Sequence, residues 1–288
     1  MSRALPVLTV LGIIVAVWYA ATVWMNAPFL RDQAARAGVE IGWAEIIPQT
    51  MAQPRPVLPA PHQVAAEVWK GVSGQAVTSK RSLVYHGLIT LESTIYGFVL
   101  GLVLGIGLAV GIVYFRVMEM AVMPWAIISQ TIPIVALAPM IVVLSNAVGI
   151  EAREVPKAII SAYLSFFPVL VGMVTGLRSP DAMQVDQMRT WNASGAQEFV
   201  KLRLPASLPF LFASLKVAIA AALVGTIVGE LPTGAVEGLG ARMLIGSQFG
   251  EPLIMWAALI AAALLAGGLI LAVGGLERLL RRRMGVAQ

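Results

Sequence analysis

The residues able to do chemistry are few, and they interrupt long apolar runs. Glu92 and Lys216 are ionisable groups set inside such runs. Ser129, Gln130 and Thr131 stand between Pro124 and Pro133, with Pro139 following, and Glu230 stands just before Pro232. A charged side chain in hydrocarbon is costly, so it faces an interior or reaches out to the interface. Each proline removes a backbone donor and frees a carbonyl, which kinks or unwinds a helix. Freed backbone is tolerated at membrane depth only against protein or a water-filled cavity. The chemistry open to this set is the binding and passage of a solute. Ser129, Gln130 and Thr131 are candidates for lining a pathway, with Glu92 in an outer vestibule; an ordinary kinked packing helix is the alternative. Lys216 either snorkels along its stem to the interface or presents charge to an anionic substrate. Catalysis has no visible machinery. There is no cysteine and there are only two histidines, His62 and His86, so thiolate chemistry is excluded and no metal site is expected. Neither an H-E-x-x-H nor a G-x-x-x-x-G-K-[ST] sequence occurs, so no catalytic residue and no nucleotide site are assigned.

The elements that must position these residues follow from composition. Hydrophobic residues make up 58% of the 288-residue chain and charged residues 12%, with a mean hydropathy of +0.83. A soluble domain has about 45–50% apolar and about 25% charged residues. A helix crosses the hydrocarbon core with about 20 apolar residues. Six runs meet that length: Ala4–Met25, Ile89–Phe115, Met120–Val148, Ala158–Leu177, Leu208–Gly229 and Pro252–Gly275. The expected fold is therefore all-α, a polytopic bundle of six spans in a lipid bilayer. The first run is too long for a signal peptide's apolar region and lacks a clean cleavage site. The net charge of +5 sits beside the apolar runs, which reads as an orientation signal and not as a nucleic-acid surface. Arg281, Arg282 and Arg283 after the last run, with Arg3 at the start, argue for both termini in the cytoplasm.

Two further patterns bear on packing. Gly97, Gly101 and Gly105, with Gly107 and Gly111, repeat the G-x-x-x-G spacing that lets helix backbones approach. That face packs either within the chain or against a second subunit. In the segment between the first two spans, Pro48, Pro54, Pro56, Pro59 and Pro61 discourage any long helix. After them, Val64, Val68, Trp69 and Val72 share one face of a short amphipathic helix. This helix lies on the membrane surface or on the end of the bundle. The division expected is residues 1–56, a first span and Pro-rich external loop, and residues 57–288, a core containing a cytoplasmic loop at about 181–205.

That loop reads as two short helices with a break. Residues 181–191 can form the first. Asn192 can take the left-handed conformation that ends it, since Asn ranks next to Gly there. Ser194 with Gln197 then forms an S-x-x-Q capping box for the second, which continues through Phe199 until Leu204-Pro205 resets the chain.

The loop resembles the E-A-A-x3-G-x9-I-x-L-P signature of binding-protein-dependent ABC importer permeases. Aligned on Leu204-Pro205, residues Asp186, Gln187 and Met188 stand at the E-A-A positions, Asn192 at the glycine and Leu202 at the isoleucine. Leu58-Pro-Ala-Pro61 with Val64, Ile132 to Pro139, and Gly238-Leu-Gly240 are similar to segments of the nitrate, sulfonate and taurine branch. The resemblance covers about residues 57–283. It implies a type I-like importer fold in a bacterial inner membrane and a pathway shared with a second permease subunit, identical or homologous. It also implies cytoplasmic ATPase subunits that hold the ATP and Mg, and a periplasmic substrate-binding protein; no cofactor is expected in this chain. Asp186, Arg189, Asn192, Ser194 and Phe199 are the expected docking residues for the ATPase: two charges, two turn-formers and an apolar anchor. The implied cargo is a small polar or anionic solute such as nitrate, a sulfonate or taurine. Riboflavin or a pyrimidine precursor of thiamine is the alternative, and a secondary transporter is the competing class.

Overall fold

The computed structural model describes residues 4–150, 152–232, 234 and 236–283, and among these it contains helices and connecting turns, without strands. Arg3, used above as an orientation signal, lies outside the described residues. Five helices are long and apolar enough to cross a membrane: Leu5–Arg36, Leu83–Tyr114, Glu154–Leu177, Gly195–Glu230 and Pro252–Arg282. A sixth crossing exists if the pair Arg116–Ser129 and Ile134–Ala147, bent by 104° at its break, counts as one span. The third predicted run is therefore broken, and only one of its prolines marks the break. Pro133 precedes the second helix, whereas Pro124 and Pro139 lie inside helices.

The chain sorts into two compact units, one of Met1–Gly87 with Ala241–Ala262 and one of Leu88–Gly240 with Ala263–Gln288. Residues 4–56 lie within the first unit. Helix α1 (Ala4–Arg36) does not stop at Met25 but runs on through Pro28. Helix α2 (Trp43–Met51) packs against α1; Ala27, Leu30 and Ala34 are buried on α1, and Ile46 and Thr50 on α2. Pro48 lies within this nine-residue helix. The Pro-rich stretch that follows is stitched to α1 by Asn26, which is fully buried. The Asn26 Oδ1 accepts from the N–H groups of Val57 (2.8 Å) and Leu58 (3.2 Å), and its Nδ2 donates to the Leu58 carbonyl at 2.9 Å. An extended segment without a strand partner needs such a side chain to satisfy its backbone. Helix α3 (Pro61–Ser73) then begins beside α1, where Tyr19 stacks on His62 and the Trp18 indole donates to the Pro59 carbonyl at 3.0 Å. Its expected apolar face is divided: Val64 is buried, while Trp69 is 73% exposed.

The second unit is built on α4 (Leu83–Tyr114, from Leu88), α7 (Glu154–Leu177) and α10 (Leu204–Glu230), with α5 (Arg116–Ser129) and α6 (Ile134–Ala147) between them in sequence. Helices α7 and α10 form its most extensive contact. The glycine face of α4 is used inside the chain. A Cβ on Gly97 would lie 2.7 Å from the Ala158 carbonyl, and one on Gly105 would lie 2.7 Å from that of Phe166. Gly97, Gly101 and Gly105 thus seat α4 on α7, so these three glycines are used within the chain and not against a second subunit. Gly107 faces open space.

Candidate functional site

The loop joining α7 to α10 is built from the turn chemistry its sequence carries. Helix α8 (Ala182–Thr190) starts after Asp181, whose N–H donates to Gln184 Oε1 at 3.1 Å. It ends in a double hydrogen bond: the Asn192 N–H reaches the Arg189 carbonyl at 2.8 Å and the Ala193 N–H reaches that of Met188 at 3.0 Å. This is the Schellman pattern, which requires a left-handed residue after the helix. Asn192 supplies it with φ +53°, the one positive value on a non-glycine residue among those described. Helix α9 (Gly195–Glu198) follows. The Gln197 N–H donates to Ser194 Oγ (3.3 Å), and the Ser194 N–H donates to Gln197 Oε1 at 2.9 Å.

The chain does not reset at Leu204-Pro205. A π-helical turn, Phe199–Arg203, carries α9 directly into α10, with the Leu204 N–H bonded to the Phe199 carbonyl. Proline in a regular helix clashes with the carbonyl four residues back, which here is Lys201. The wider π turn relieves that clash, so the helix passes the proline without a break. The same widening places Glu198 and Arg203, five residues apart, in register. Arg203 Nε donates to Glu198 Oε1 at 2.6 Å, and its Nη1 donates to the Leu177 carbonyl at the C-terminus of α7 at 2.9 Å. Arg178, next in sequence, donates to Glu119 of α5 at 3.0 Å. Neither brace was legible in the sequence, because a five-residue ion pair is not a pattern of a regular helix.

The named loop residues fall into two groups. Asp186 and Arg189 form an exposed ion pair at 3.2 Å with 68% and 72% of their side chains accessible, so both charges stand on the free surface of α8. Asn192 and Ser194 shape the turn. Phe199 is half-buried: its ring meets Tyr114 of α4 edge-on, with centroids 6.0 Å apart, and packs against a core containing Ile112 and Leu177. Its contacts are with its own bundle. The apolar groups presented outward by this region include Trp191 (68% exposed) and Met183 (82% exposed), with Val200 also exposed. The loop is therefore an exposed tip on a base tied to α4, α5 and α7, an arrangement that can transmit a push on the tip into three helices.

The candidate pathway residues sit elsewhere in this unit. Ser129 and Gln130 are half-buried and Thr131 is exposed at the break between α5 and α6. Ser129 Oγ and Thr131 Oγ1 each donate to a carbonyl one turn back, those of Ala126 and Ile128, both at 2.8 Å. The Ser129 carbonyl accepts the Tyr163 hydroxyl from α7. Freed backbone at the break is thus satisfied by side chains. Glu92 lies on the exposed face of α4, accepting from Tyr96 at 3.0 Å, away from the buried Thr90, Ser93 and Thr94. Lys216 is committed: its Nζ donates to Glu277 of α12 (Pro252–Arg283) at 2.6 Å, and Arg281 meets the same carboxylate at 2.7 Å. Lys157, buried in α7, is paired with Glu154 at 3.2 Å.

Comparison with known proteins completes the description. Residues 101–286 match the family described as binding-protein-dependent transport system inner membrane component. The chain is 35% identical over 226 residues to the riboflavin transport system permease protein of Chloroflexus aurantiacus, covering 78% of this chain and 80% of that one. It is 38% identical over 137 residues to the formylaminopyrimidine transport permease protein of Halalkalibacterium halodurans, covering 46% of this chain and 52% of that one. To a putative aliphatic sulfonates transport permease protein of Bacillus subtilis it is 28% identical over 131 residues, or 46% and 45% of the two chains.

Proposed function

The chain belongs to the inner membrane components of binding-protein-dependent transport systems, a family of ABC importer permeases, and from that premise we propose that it carries a planar, uncharged heteroaromatic solute inward. In this reading, work enters through the 181–205 loop from a separate cytoplasmic ATPase, and solute arrives from a periplasmic binding protein. Both termini and the loop face the cytoplasm. Asp186, Arg189, Trp191 and Met183 offer the ATPase two charges and two apolar groups, while Phe199 and Arg203 hold the loop to the bundle. The observation that carries the coupling role is the loop's construction: a Schellman turn at Asn192 on a braced base.

Two observations support a neutral cargo over an anion. Lys157 and Lys216, two lysines on span helices, are each paired with a carboxylate. The relatives with the higher identities carry names for riboflavin and formylaminopyrimidine transport, and the sulfonate relative is more distant. The test is purification with the neighbouring ATPase and binding protein, followed by ATP-driven uptake in proteoliposomes. Riboflavin or a pyrimidine should be the ligand retained on the binding protein and the solute accumulated. Retention of taurine or nitrate instead refutes the cargo. Absence of any co-purifying ATPase, with uptake intact in Asn192→Pro, refutes the coupling role.

A further inference from the structure

At the end of α10 away from the 181–205 loop, the chain encloses a carboxylate. Glu230 is the last residue of α10 and has no accessible surface. Its Oε1 accepts the Thr90 hydroxyl from α4 at 2.8 Å, and its Oε2 accepts the Gly240 N–H at 2.6 Å. The Thr90 hydroxyl in turn accepts the Leu239 N–H at 2.9 Å. Leu239 is itself fully buried. The returning segment Gly238-Leu239-Gly240 lies so close that a Cβ on Gly238, at φ +121°, would stand 2.3 Å from Glu230 Oε1. On the neighbouring turns, Thr94 donates to Thr226 at 3.1 Å and Ser93 to Glu154 at 2.5 Å, and Lys157 of α7 packs beside Gly229. Glu230 thus ties two helices and a loop at one point.

We infer that Glu230 is a positioning residue for import: its carboxylate latches the Gly238–Gly240 segment onto α4 and α10, and substrate delivery requires that segment to be docked. The geometry specifies an acceptor at each carboxyl oxygen. Among the described residues, the Thr90 hydroxyl and the Gly240 N–H donate to different oxygens, both of which a carboxylate offers as acceptors. A glutamine can serve one oxygen site but brings an N–H group to the other. Removing the buried acceptor leaves the donors unsatisfied, so the segment gains more by undocking into water than by staying. The latch is also remote from the ATPase side. The 27 residues of α10 span about 40 Å at ~1.5 Å per residue, so its loss should not touch the coupling loop directly.

The functional consequence rests on the importer reading; the docking itself does not, and the experiment separates them. Because the chain has no cysteine, Leu239→Cys gives a single thiol at a fully buried position. A membrane-impermeant maleimide should label it slowly with Glu230 in place and at least about tenfold faster in Glu230→Ala, with Glu230→Gln between. Thr90→Val, close in shape, should reproduce the faster labelling, and the Thr90→Val/Glu230→Ala pair should label no faster than the more reactive single change, because one latch is removed in each. In the full transporter, Glu230→Ala should raise the binding-protein concentration for half-maximal uptake by about tenfold while ATP hydrolysis without binding protein stays within about twofold. Unchanged labelling in both Glu230→Ala and Thr90→Val overturns the latch. Faster labelling with unchanged half-saturation overturns its role in delivery. If the unaltered transporter shows no ATP-driven uptake, the importer reading fails, and the labelling result still decides the latch.

Discussion

Asn192 offers a sharp test of the proposed coupling loop, because its task is conformational and two substitutions pull it in opposite directions. The residue holds φ +53° and anchors hydrogen bonds of 2.8 and 3.0 Å that close α8. Left-handed backbone costs an ordinary L-residue roughly 1–2 kcal/mol, less for Asn and nothing for Gly. Asn192→Gly should therefore keep the turn, whereas Asn192→Val places a β-branched side chain where it is strained. If the turn opens instead, two exposed backbone hydrogen bonds are lost at about 0.5 kcal/mol or more each. Either route costs about 1.4 kcal/mol, which lowers the population of the correctly shaped loop about tenfold. ATP-driven uptake should fall by that factor in Asn192→Val and stay near the unaltered rate in Asn192→Gly. The site is exposed, so assembly and detergent-solubilised yield should be the same in both. The assay is uptake and ATP hydrolysis in proteoliposomes containing equal amounts of complex. Equal activity of the two variants refutes the reasoning in either direction: both active means the turn is dispensable, and both inactive means the amide side chain, not the backbone, does the work.

Three further outcomes follow from the geometry. Gly97→Ala should lower thermal stability by about 1–3 kcal/mol, because its new Cβ meets Ser161 Cβ at 2.2 Å and a carbonyl at 2.7 Å. Gly107→Ala, which meets nothing within 4 Å, should be neutral or up to about 1 kcal/mol stabilising in the same melt. Arg203→Lys should not restore what Arg203→Ala loses, since one guanidinium serves both Glu198 and the Leu177 carbonyl; the readout is uptake per ATP hydrolysed, with both variants expected about tenfold down. Lys216→Met should cost about 1 kcal/mol and leave the KM for uptake unchanged, since Arg281 still covers Glu277. Glu277→Leu, which strands Lys216, should cost about 2–3 kcal/mol. A KM shift in Lys216→Met would return that lysine to the list of substrate contacts.

The membrane spans, the family and the turn at Asn192 were legible in the sequence because each rests on local physics. Apolar length fixes a span, and Asn followed by Ser-x-x-Gln fixes a helix–turn–helix whatever surrounds it. What the sequence left open depended on partners distant along the chain. Gly97, Gly101 and Gly105 announced a close approach but not whose backbone would approach; α7 decided that. Phe199 looked like an anchor for a partner until Tyr114 and Leu177 were found against it, and Trp191 took the exposed place. Lys216 had two readings until Glu277, 61 residues away, met it at 2.6 Å. Glu198 and Arg203 carried no helical signature because a π turn brought them together. Asn26 and Glu230 are the clearest cases: a lone polar residue at the end of an apolar run has many possible partners, and only the folded chain brings the backbone of Val57 and Leu58 to one and Thr90 and Gly240 to the other.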